Sequence, residues 1–210
     1  MAKYIGSSCR MCRREGEKLF LKGSKCATDK CAVARREYAP GQHGRMKMRK
    51  KDSNYNIQLR EKQKVKRVYG MLERQFKHYF RIAQESHGVT GLKLLELLER
   101  RLDNVIFRMN LAQSRAHARQ IVQHGQVFVN SKRVDIPSFL VGVKDIVELR
   151  PKEKALKQYR ERLELLKDRQ IPEWITHNAA KFTGTIVALP TKENVGFPVQ
   201  EQLIVELYSK

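Results

Sequence analysis

Residues 100–134 constrain the fold more than any other stretch, because they combine the patterns of two short helices and a β-hairpin. Apolar side chains recur in and just before this stretch at helical steps, which places them on one face of a helix: Leu95, Leu98, Leu102, Val105, Ile106 and Met109. Ser114 is a favourable N-cap residue and Gly125 a favourable residue just past a helix end, so a second helix is predicted between them. A compact unit that begins with two helices is therefore expected.

A β-hairpin is predicted to follow the second helix. The apolar run Val127–Val129 indicates one strand, residues 130–131 a polar turn, and residues 132–134 a second, basic strand. Arginines lie on both predicted helices, and further basic residues lie on the hairpin. An ordinary α+β core with a solvated charged face gives the same local pattern, so the pattern alone leaves both interpretations open.

Two strings within this stretch resemble the small RNA-binding fold known as the S-four domain. They are RLDNVIFRM, from Arg101, and SRAHARQIVQHGQVFVNSKRV, which ends at Val134. That domain occurs in ribosomal proteins, pseudouridine synthases, tyrosyl-tRNA synthetases and a heat-shock protein. The resemblance implies binding of structured RNA and leaves the kind of host protein to be decided by the flanking sequence.

The charge of the chain favours a polyanionic partner. Its 43 Lys and Arg against 22 Asp and Glu give a net charge of +21, and like charges oppose folding. Residues 1–67 hold 20 of the basic residues but only 6 of the acidic ones. This asymmetry indicates a phosphate-binding arm, with a solvated or disordered basic linker as the alternative. A membrane surface is the competing polyanion, but no apolar run approaches the roughly 18 residues that a span needs.

All four cysteines lie in residues 1–44, and a protein without a recognisable signal peptide is expected to be cytosolic and to keep them reduced. Cys9 and Cys12 form one short-spaced pair, and Cys26 and Cys31 form a second. Two such pairs separated by a loop predict one tetrahedral, structural zinc site. An iron–sulfur cluster with the same ligands, or separate thiols, remain alternatives. His43 is a ligand by residue type, although a loop histidine that touches RNA is the favoured interpretation.

The rest of the chain has weaker patterns. Residues 55–86 predict a helix that Gly70 bends or breaks, because glycine weakens a helix interior. A strand is predicted in residues 141–149 and a charged helix from Pro151 onward. Two strand-like runs, residues 185–189 and residues 203–208, are expected to belong to a tail that folds back on the helix of residues 55–86.

The flanking motifs resemble the bacterial small-subunit ribosomal protein S-four family over essentially the full length. They are APGQHG (39–44), QLREKQK (58–64), YG (69–70) and LIVELYSK (203–210), together with the four-cysteine arm. The resemblance implies an α+β fold, in which a mostly helical domain built from both flanks carries an inserted α+β RNA-binding module and an N-terminal zinc-knuckle arm. The expected parts are residues 1–44 for the arm and loop, 45–97 plus 172–210 for the helical domain with C-terminal strands, and 98–171 for the module with its following helix.

The same resemblance implies a structural role in the small subunit. Such a protein binds 16S ribosomal RNA early, at a multi-helix junction of the 5′ region. It contacts ribosomal protein S-five at an interface that affects decoding accuracy, and it lines the messenger entry tunnel with basic residues. The candidate RNA contacts are Arg45, Lys47, Arg49 and Lys50 for the tunnel, Arg60, Lys62 and Lys66 on the helical domain, and Arg101, Arg108, Arg115, Arg119, Lys132 and Arg133 in the module.

Two other classes of protein fit parts of the sequence. An RNA-modifying enzyme that uses the module as a guide would need a catalytic domain, and neither a nucleophile–base pairing nor a Gly-rich phosphate loop is found in the sequence. A zinc-ribbon nucleic-acid-binding regulator is allowed by the cysteine spacing, but the basic residues do not lie on one recognition helix. The sequence therefore predicts a protein that is not an enzyme.

Overall fold

The computed structural model describes residues 3–45, 53–151, 153–166 and 169–209. The chain divides into two compact units: the first is Met1–Leu94 with Phe197–Lys210, and the second is Leu95–Gly196. Both flanks thus form one unit, and the second unit is inserted between them. The division places residues 172–196 in the second unit, whereas the family resemblance predicts that they belong to the helical domain.

The regular secondary structure in the described residues of the first unit is helical. Its helices are α1 (Ser8–Glu15), α2 (Ala32–Arg35), α3 (Asn54–Val68), α4 (Glu73–Glu85), the first half of α5 (Thr90–Glu99) and, at the end of the chain, α9 (Glu201–Tyr208). Gly70 separates α3 from α4 with φ of +63°, a backbone conformation that side chains with a Cβ disfavour. The predicted break in the long helix is therefore confirmed. No helix in the described ranges is long and apolar enough to cross a membrane.

The C-terminal run of residues 203–208 was wrongly predicted to be a strand, because it lies in the helix α9. A short apolar run gives no periodicity that separates a strand from a buried helix. Here tertiary packing decides, because Ile204 is fully buried and Tyr208 stacks on Phe80 with ring centroids 4.4 Å apart. Gln58 on α3 also donates to Glu206 at 2.7 Å, so the tail folds back on α3 as expected, but as a helix.

The second unit packs helices against one antiparallel sheet. It contains the end of α5, then α6 (Leu102–Arg108), α7 (Arg115–Gln123) and α8 (Glu153–Leu165). Its strands are β1 (Val127–Val129), β2 (Lys132–Arg133), β3 (Ile146–Leu149), β4 (Ile175–Asn178) and β5 (Thr183–Ile186), in the order β2-β1-β3-β5-β4. The strand predicted in residues 141–149 is shorter, because β3 covers only its second half. The strand predicted in residues 185–189 is shifted toward the N-terminus, as β5. Alternate residues of β1 and β3 are buried, so one face of the sheet packs on the core.

The helix predicted to run through residues 95–109 is two helices, α5 and α6, with a break at Arg101. The backbone N–H groups of Leu102 and Asp103 donate to the carbonyl oxygens of Phe139 and Pro137 at 2.9 and 3.2 Å. These acceptors satisfy donors that a helix start leaves without intrahelical partners. The break turns the side chain of Arg101 into the interior of the second unit.

Candidate RNA interface and cysteine site

The β1–β2 hairpin projects two exposed cations from the second unit. Asn130 and Ser131 both have positive φ, +49° and +66°, which is the backbone of a tight two-residue hairpin turn. The side chain of Asn130 accepts from the Ile146 N–H at 2.9 Å and so fixes the turn. Lys132 and Arg133 follow directly and are exposed. A polyanion can therefore reach both side chains without any rearrangement of the core.

Helix α7 positions a third cation. Ser114 caps the helix by accepting from the His117 N–H at 3.3 Å, as predicted. Arg115, the first residue of α7, donates from Nε to Asn104 Oδ1 at 2.8 Å. Its guanidinium carbon lies 4.4 Å from the centroid of the Phe107 ring. These contacts hold the guanidinium in a defined place at the edge of the core.

Two of the predicted RNA contacts, Arg101 and Arg119, are buried in the second unit. Arg101 is 0% exposed and binds both oxygens of Asp103, with Nε–Oδ1 of 3.1 Å and Nη2–Oδ2 of 2.7 Å. Arg119 is 5% exposed. Burial lowers the pKa of Arg119, nearby Asp103 opposes that shift, and Arg101 adds to it. Arg101 therefore compensates the Asp103 carboxylate directly, while the charge of Asp103 also acts on Arg119.

Arg108 also has a structural partner. Its Nε and Nη2 atoms donate to the two carboxylate oxygens of Glu99 at 2.9 and 2.8 Å, and Nη2 also donates to the Val195 carbonyl oxygen at 2.7 Å. The Glu99 side chain is fully buried, so this arginine compensates a charge inside the unit. Arg169, near Arg108, is a further cation that was not among the sequence candidates. Its guanidinium carbon lies 3.6 Å from the Phe107 ring centroid. No periodic pattern singles out Arg169, since it lies beyond the end of α8.

The candidate cations on α3 are bound to carboxylates of the first unit. Arg60 lies 3.4 Å from Glu15, a residue of α1, while Lys62 and Lys66 lie 2.6 and 2.8 Å from Glu73 on α4. The structure thus places all three side chains in ion pairs rather than leaving them open to solvent.

The candidate tunnel residues lie around the end of the arm. Arg45 is exposed and donates to the Tyr38 hydroxyl at 3.2 Å, and its guanidinium carbon lies 5.1 Å from that ring's centroid. Arg13 lies 4.8 Å from the same ring. Lys47, Arg49 and Lys50 fall outside the described residues.

The ion pairs of Glu73 predict a pH dependence of stability. Burial alone would raise its pKa, but hydrogen bonds from Lys62 and Lys66 lower the pKa to about 2. A carboxyl whose folded pKa is depressed contributes stability above its unfolded pKa and loses it as pH falls through the folded value. We expect about 1–2 kcal/mol, after discounting for the 46% exposure of the side chain, to be lost between pH 4.5 and 2.

Urea unfolding at several pH values measures this loss. Glu73→Gln should remove that part of the pH dependence and lower stability at neutral pH. Glu85→Gln is the matched control, because Glu85 pairs with Arg81 at 3.0 Å with both side chains well exposed. Equal pH profiles for the two variants would contradict the prediction.

The four cysteines lie around one small cavity in the arm. Cys12, Cys26 and Cys31 are buried and Cys9 is half-buried, and none of them forms a disulfide. All four line the cavity, together with apolar residues that include Leu21. The sequence-predicted pairs are therefore brought together. Among the described residues, however, no three His, Cys, Asp or Glu side chains are already placed as ligands of one metal ion.

Backbone N–H groups point at two of the sulfurs. Lys22 N–H donates to Cys26 Sγ at 3.4 Å, and Leu19 N–H donates to Cys12. Burial raises the pKa of the Cys12 thiol, the Leu19 hydrogen bond opposes this, and the other three cysteines raise it further as like charges. Four thiolates this close together would repel one another, so a cation between them would relieve both effects.

Comparison with known proteins gives matches over the whole chain. The family model described as "Ribosomal protein S4/S9 N-terminal domain" matches residues 3–99, and the one described as "S4 domain" matches residues 100–147. Three relatives are each called small ribosomal subunit protein uS4, and their alignments cover 100% of both chains. They come from Thermodesulfovibrio yellowstonii (57% identical), Acetivibrio thermocellus (55%) and Halothermothrix orenii (52%).

Proposed function

The chain belongs to the ribosomal protein uS4 family, and from this premise we propose that it binds 16S ribosomal RNA early in assembly, at a multi-helix junction of the 5′ region. Membership makes it a cytoplasmic, non-enzymatic constituent of the small ribosomal subunit with an RNA-binding S4 domain. At a helix junction, lysine and arginine neutralise crowded phosphates and lower the repulsion that keeps the RNA helices apart.

The observation that carries the proposal is the exposed basic hairpin. Lys132 and Arg133 form no ion pair with any residue in the described ranges, in contrast to the cations on α3. The Arg133 guanidinium lies against Gly125, where an added Cβ would collide with it. Structured RNA is recognised mainly through its shape and backbone, so a rigid hairpin with two open cations suits phosphate binding.

The test is a salt series of binding to a 5′-domain fragment of 16S RNA, with transfer RNA as competitor. Lys132→Gln with Arg133→Gln should weaken binding and reduce the slope of log K against log salt by about 1.4–1.8, because each of the two lost phosphate contacts removes about 0.7–0.9. The matched control is Lys77→Gln with Arg81→Gln, two exposed cations on α4 that give the same change in net charge. Equal slopes for the two double variants would contradict a role for the hairpin.

The wild-type protein in the same series tests the wider proposal. Binding to the fragment that resists transfer RNA supports recognition of the junction. Equal displacement by both RNAs would reduce the protein to a general basic RNA binder and would contradict a specific assembly role.

We also propose that the arm holds one structural zinc ion through Cys9, Cys12, Cys26 and Cys31. The support is the spacing of the two pairs, their shared cavity and the N–H groups directed at sulfur. The sulfurs would close on the ion, which would cross-link the two halves of the arm and supply no catalytic chemistry. An iron–sulfur cluster would use the same ligands, and metal analysis separates the two.

Two further contacts complete the proposal, and both derive from the family resemblance. Arg45, Lys47, Arg49 and Lys50 are proposed to meet messenger RNA at the entry tunnel, which agrees with the exposure of Arg45. A surface contact with ribosomal protein S-five is proposed to contribute to translational accuracy.

A further inference from the structure

Two arginines of the second unit lie against one aromatic ring, and a third pairs with a buried carboxylate. The guanidinium carbons of Arg169 and Arg115 lie 3.6 and 4.4 Å from the centroid of Phe107. Arg108, on the same helix as Phe107, binds Glu99 through two hydrogen bonds of 2.9 and 2.8 Å. We name Arg108, Arg115, Arg169, Phe107 and Glu99 the arginine cluster. It joins the end of α6, the start of α7 and the segment after α8.

The arginine cluster carries more positive than negative charge. Its one carboxylate, Glu99, is fully buried and is bound in bidentate fashion by Arg108. Arg115 donates to Asn104, a neutral side chain. Arg169 forms no ion pair with a residue in the described parts of the chain, and its guanidinium stacks on the Phe107 ring. The charge of three guanidinium groups therefore exceeds the charge that Glu99 supplies.

Stacking on Phe107 prepares the Arg169 guanidinium for an anion. A ring face holds a guanidinium in one plane by cation–π attraction and leaves the N–H edge open. That edge has the fork geometry that binds two oxygens of a phosphate, and a fork already held in place loses less conformational entropy on binding. The backbone carbonyl of Arg169 accepts from Asn110 Nδ2 at 2.7 Å, which anchors the segment to the core.

We propose that Arg169, stacked on the Phe107 ring, binds a backbone phosphate of structured RNA. This inference rests on the proposed RNA-binding function and adds to it a subsite that combines two sequence-distant segments. The ligand class is a phosphate diester, because Arg169 presents a planar N–H fork and forms no ion pair within the described parts of the chain.

The charges around Arg169 favour the binding of an anion. Burial first, and then its neighbours Arg115 and Arg108, lower its pKa to about 10, while Glu99 acts in the opposite direction. A phosphate at the Arg169 fork would offset the repulsion among the three guanidinium groups.

The experiment compares Arg169→Gln with Arg150→Gln in the salt series on the 16S 5′-domain fragment. Arg150 is the matched control, because its guanidinium stacks on Phe128 at 4.3 Å but is already paired with Glu148 at 2.7 Å. Arg169→Gln should weaken binding about tenfold and reduce the salt slope by about 0.7–0.9, the value of one phosphate contact. Arg150→Gln should leave both quantities close to wild type.

A third variant separates binding from folding. Arg169→Lys keeps the charge but loses the planar fork, so it should keep the salt slope and lose part of the affinity. If Arg169→Gln unfolds in urea at a lower midpoint than wild type, the Lys variant decides, and wild-type affinity in it overturns the subsite. Unchanged affinity and slope in a folded Arg169→Gln protein also overturn it. Failure of the wild-type protein to bind the fragment at all would instead overturn the proposed function.

Discussion

Replacing Arg101 by methionine is expected to lower the free energy of unfolding by about 3–5 kcal/mol, because it leaves the buried carboxylate of Asp103 without its main partner. The fork that binds Asp103 is fully buried, with Nη2–Oδ2 of 2.7 Å, so solvent cannot easily replace its nitrogens. Urea unfolding at neutral pH, followed by circular dichroism, measures the loss.

Two controls make the Arg101 result interpretable. Arg81→Met removes a cation from the exposed pair with Glu85 and should change stability by less than about 1 kcal/mol. Arg101→Met combined with Asp103→Leu should recover most of the loss, because no uncompensated charge then stays buried. If Arg101→Met alone is as stable as wild type but binds RNA more weakly, the prediction is wrong and Arg101 contacts RNA.

Removing the proposed zinc ion is expected to unfold the arm, residues 3–45, and to leave α3, α4 and the second unit folded. The buried residues of the arm are few, since Leu19 and three cysteines supply them, whereas the rest of the chain has its own core. Structural zinc in small domains contributes about 10–16 kcal/mol of binding free energy, and this is folding free energy for the segment that it holds.

The zinc prediction has three measurements. Metal analysis should find about one zinc per chain in protein purified without chelator. Amide hydrogen exchange after chelation should become fast in the arm and stay slow in α3, α4 and the second unit, and added zinc should restore protection. Cys26→Ser with Cys31→Ser should reproduce the chelated state. Protein free of metal with a fully protected arm would refute the site.

Local signals in the second unit were sufficient for its hairpin and for helix α7. Helix α7 begins just after Ser114 and ends just before Gly125, as predicted. An N-cap side chain and a glycine with left-handed backbone conformation both act on neighbouring residues. The turn at Asn130 is likewise encoded in two adjacent residues that tolerate positive φ.

The break at Arg101 and the helix α9 depend on distant residues. The donors at the start of α6 are satisfied by carbonyl groups of residues 137 and 139, which no local pattern reveals. Residues 203–208 are helical because they pack on α3 and α4. The pairs Gln58–Glu206 and Glu73–Tyr208 make these contacts across 148 and 135 positions of sequence. In both cases tertiary contacts override local propensity.

For the candidate site, charge and residue type identified the cationic side chains. They did not show which of these side chains are buried or paired with carboxylates in the folded protein. Arg101 and Arg119 carry the same charge as the hairpin cations, yet their burial around Asp103 is recognisable only in three dimensions. The sequence did not single out Arg169, because its position on the Phe107 ring joins residues that are 62 positions apart.

The ion pairs of α3 neutralise its charge within the protein, so this helix does not need bound RNA in order to fold. Glu15 lies against both Arg60 and Arg67, Glu61 lies 2.9 Å from Lys64, and Glu73 binds Lys62 and Lys66. The basic helix α3 thus finds its counterions on α1, on α4 and on itself, so it can form while no nucleic acid is present. We expect a newly made chain to reach its RNA already folded in this part, which would reduce its association with unrelated transcripts.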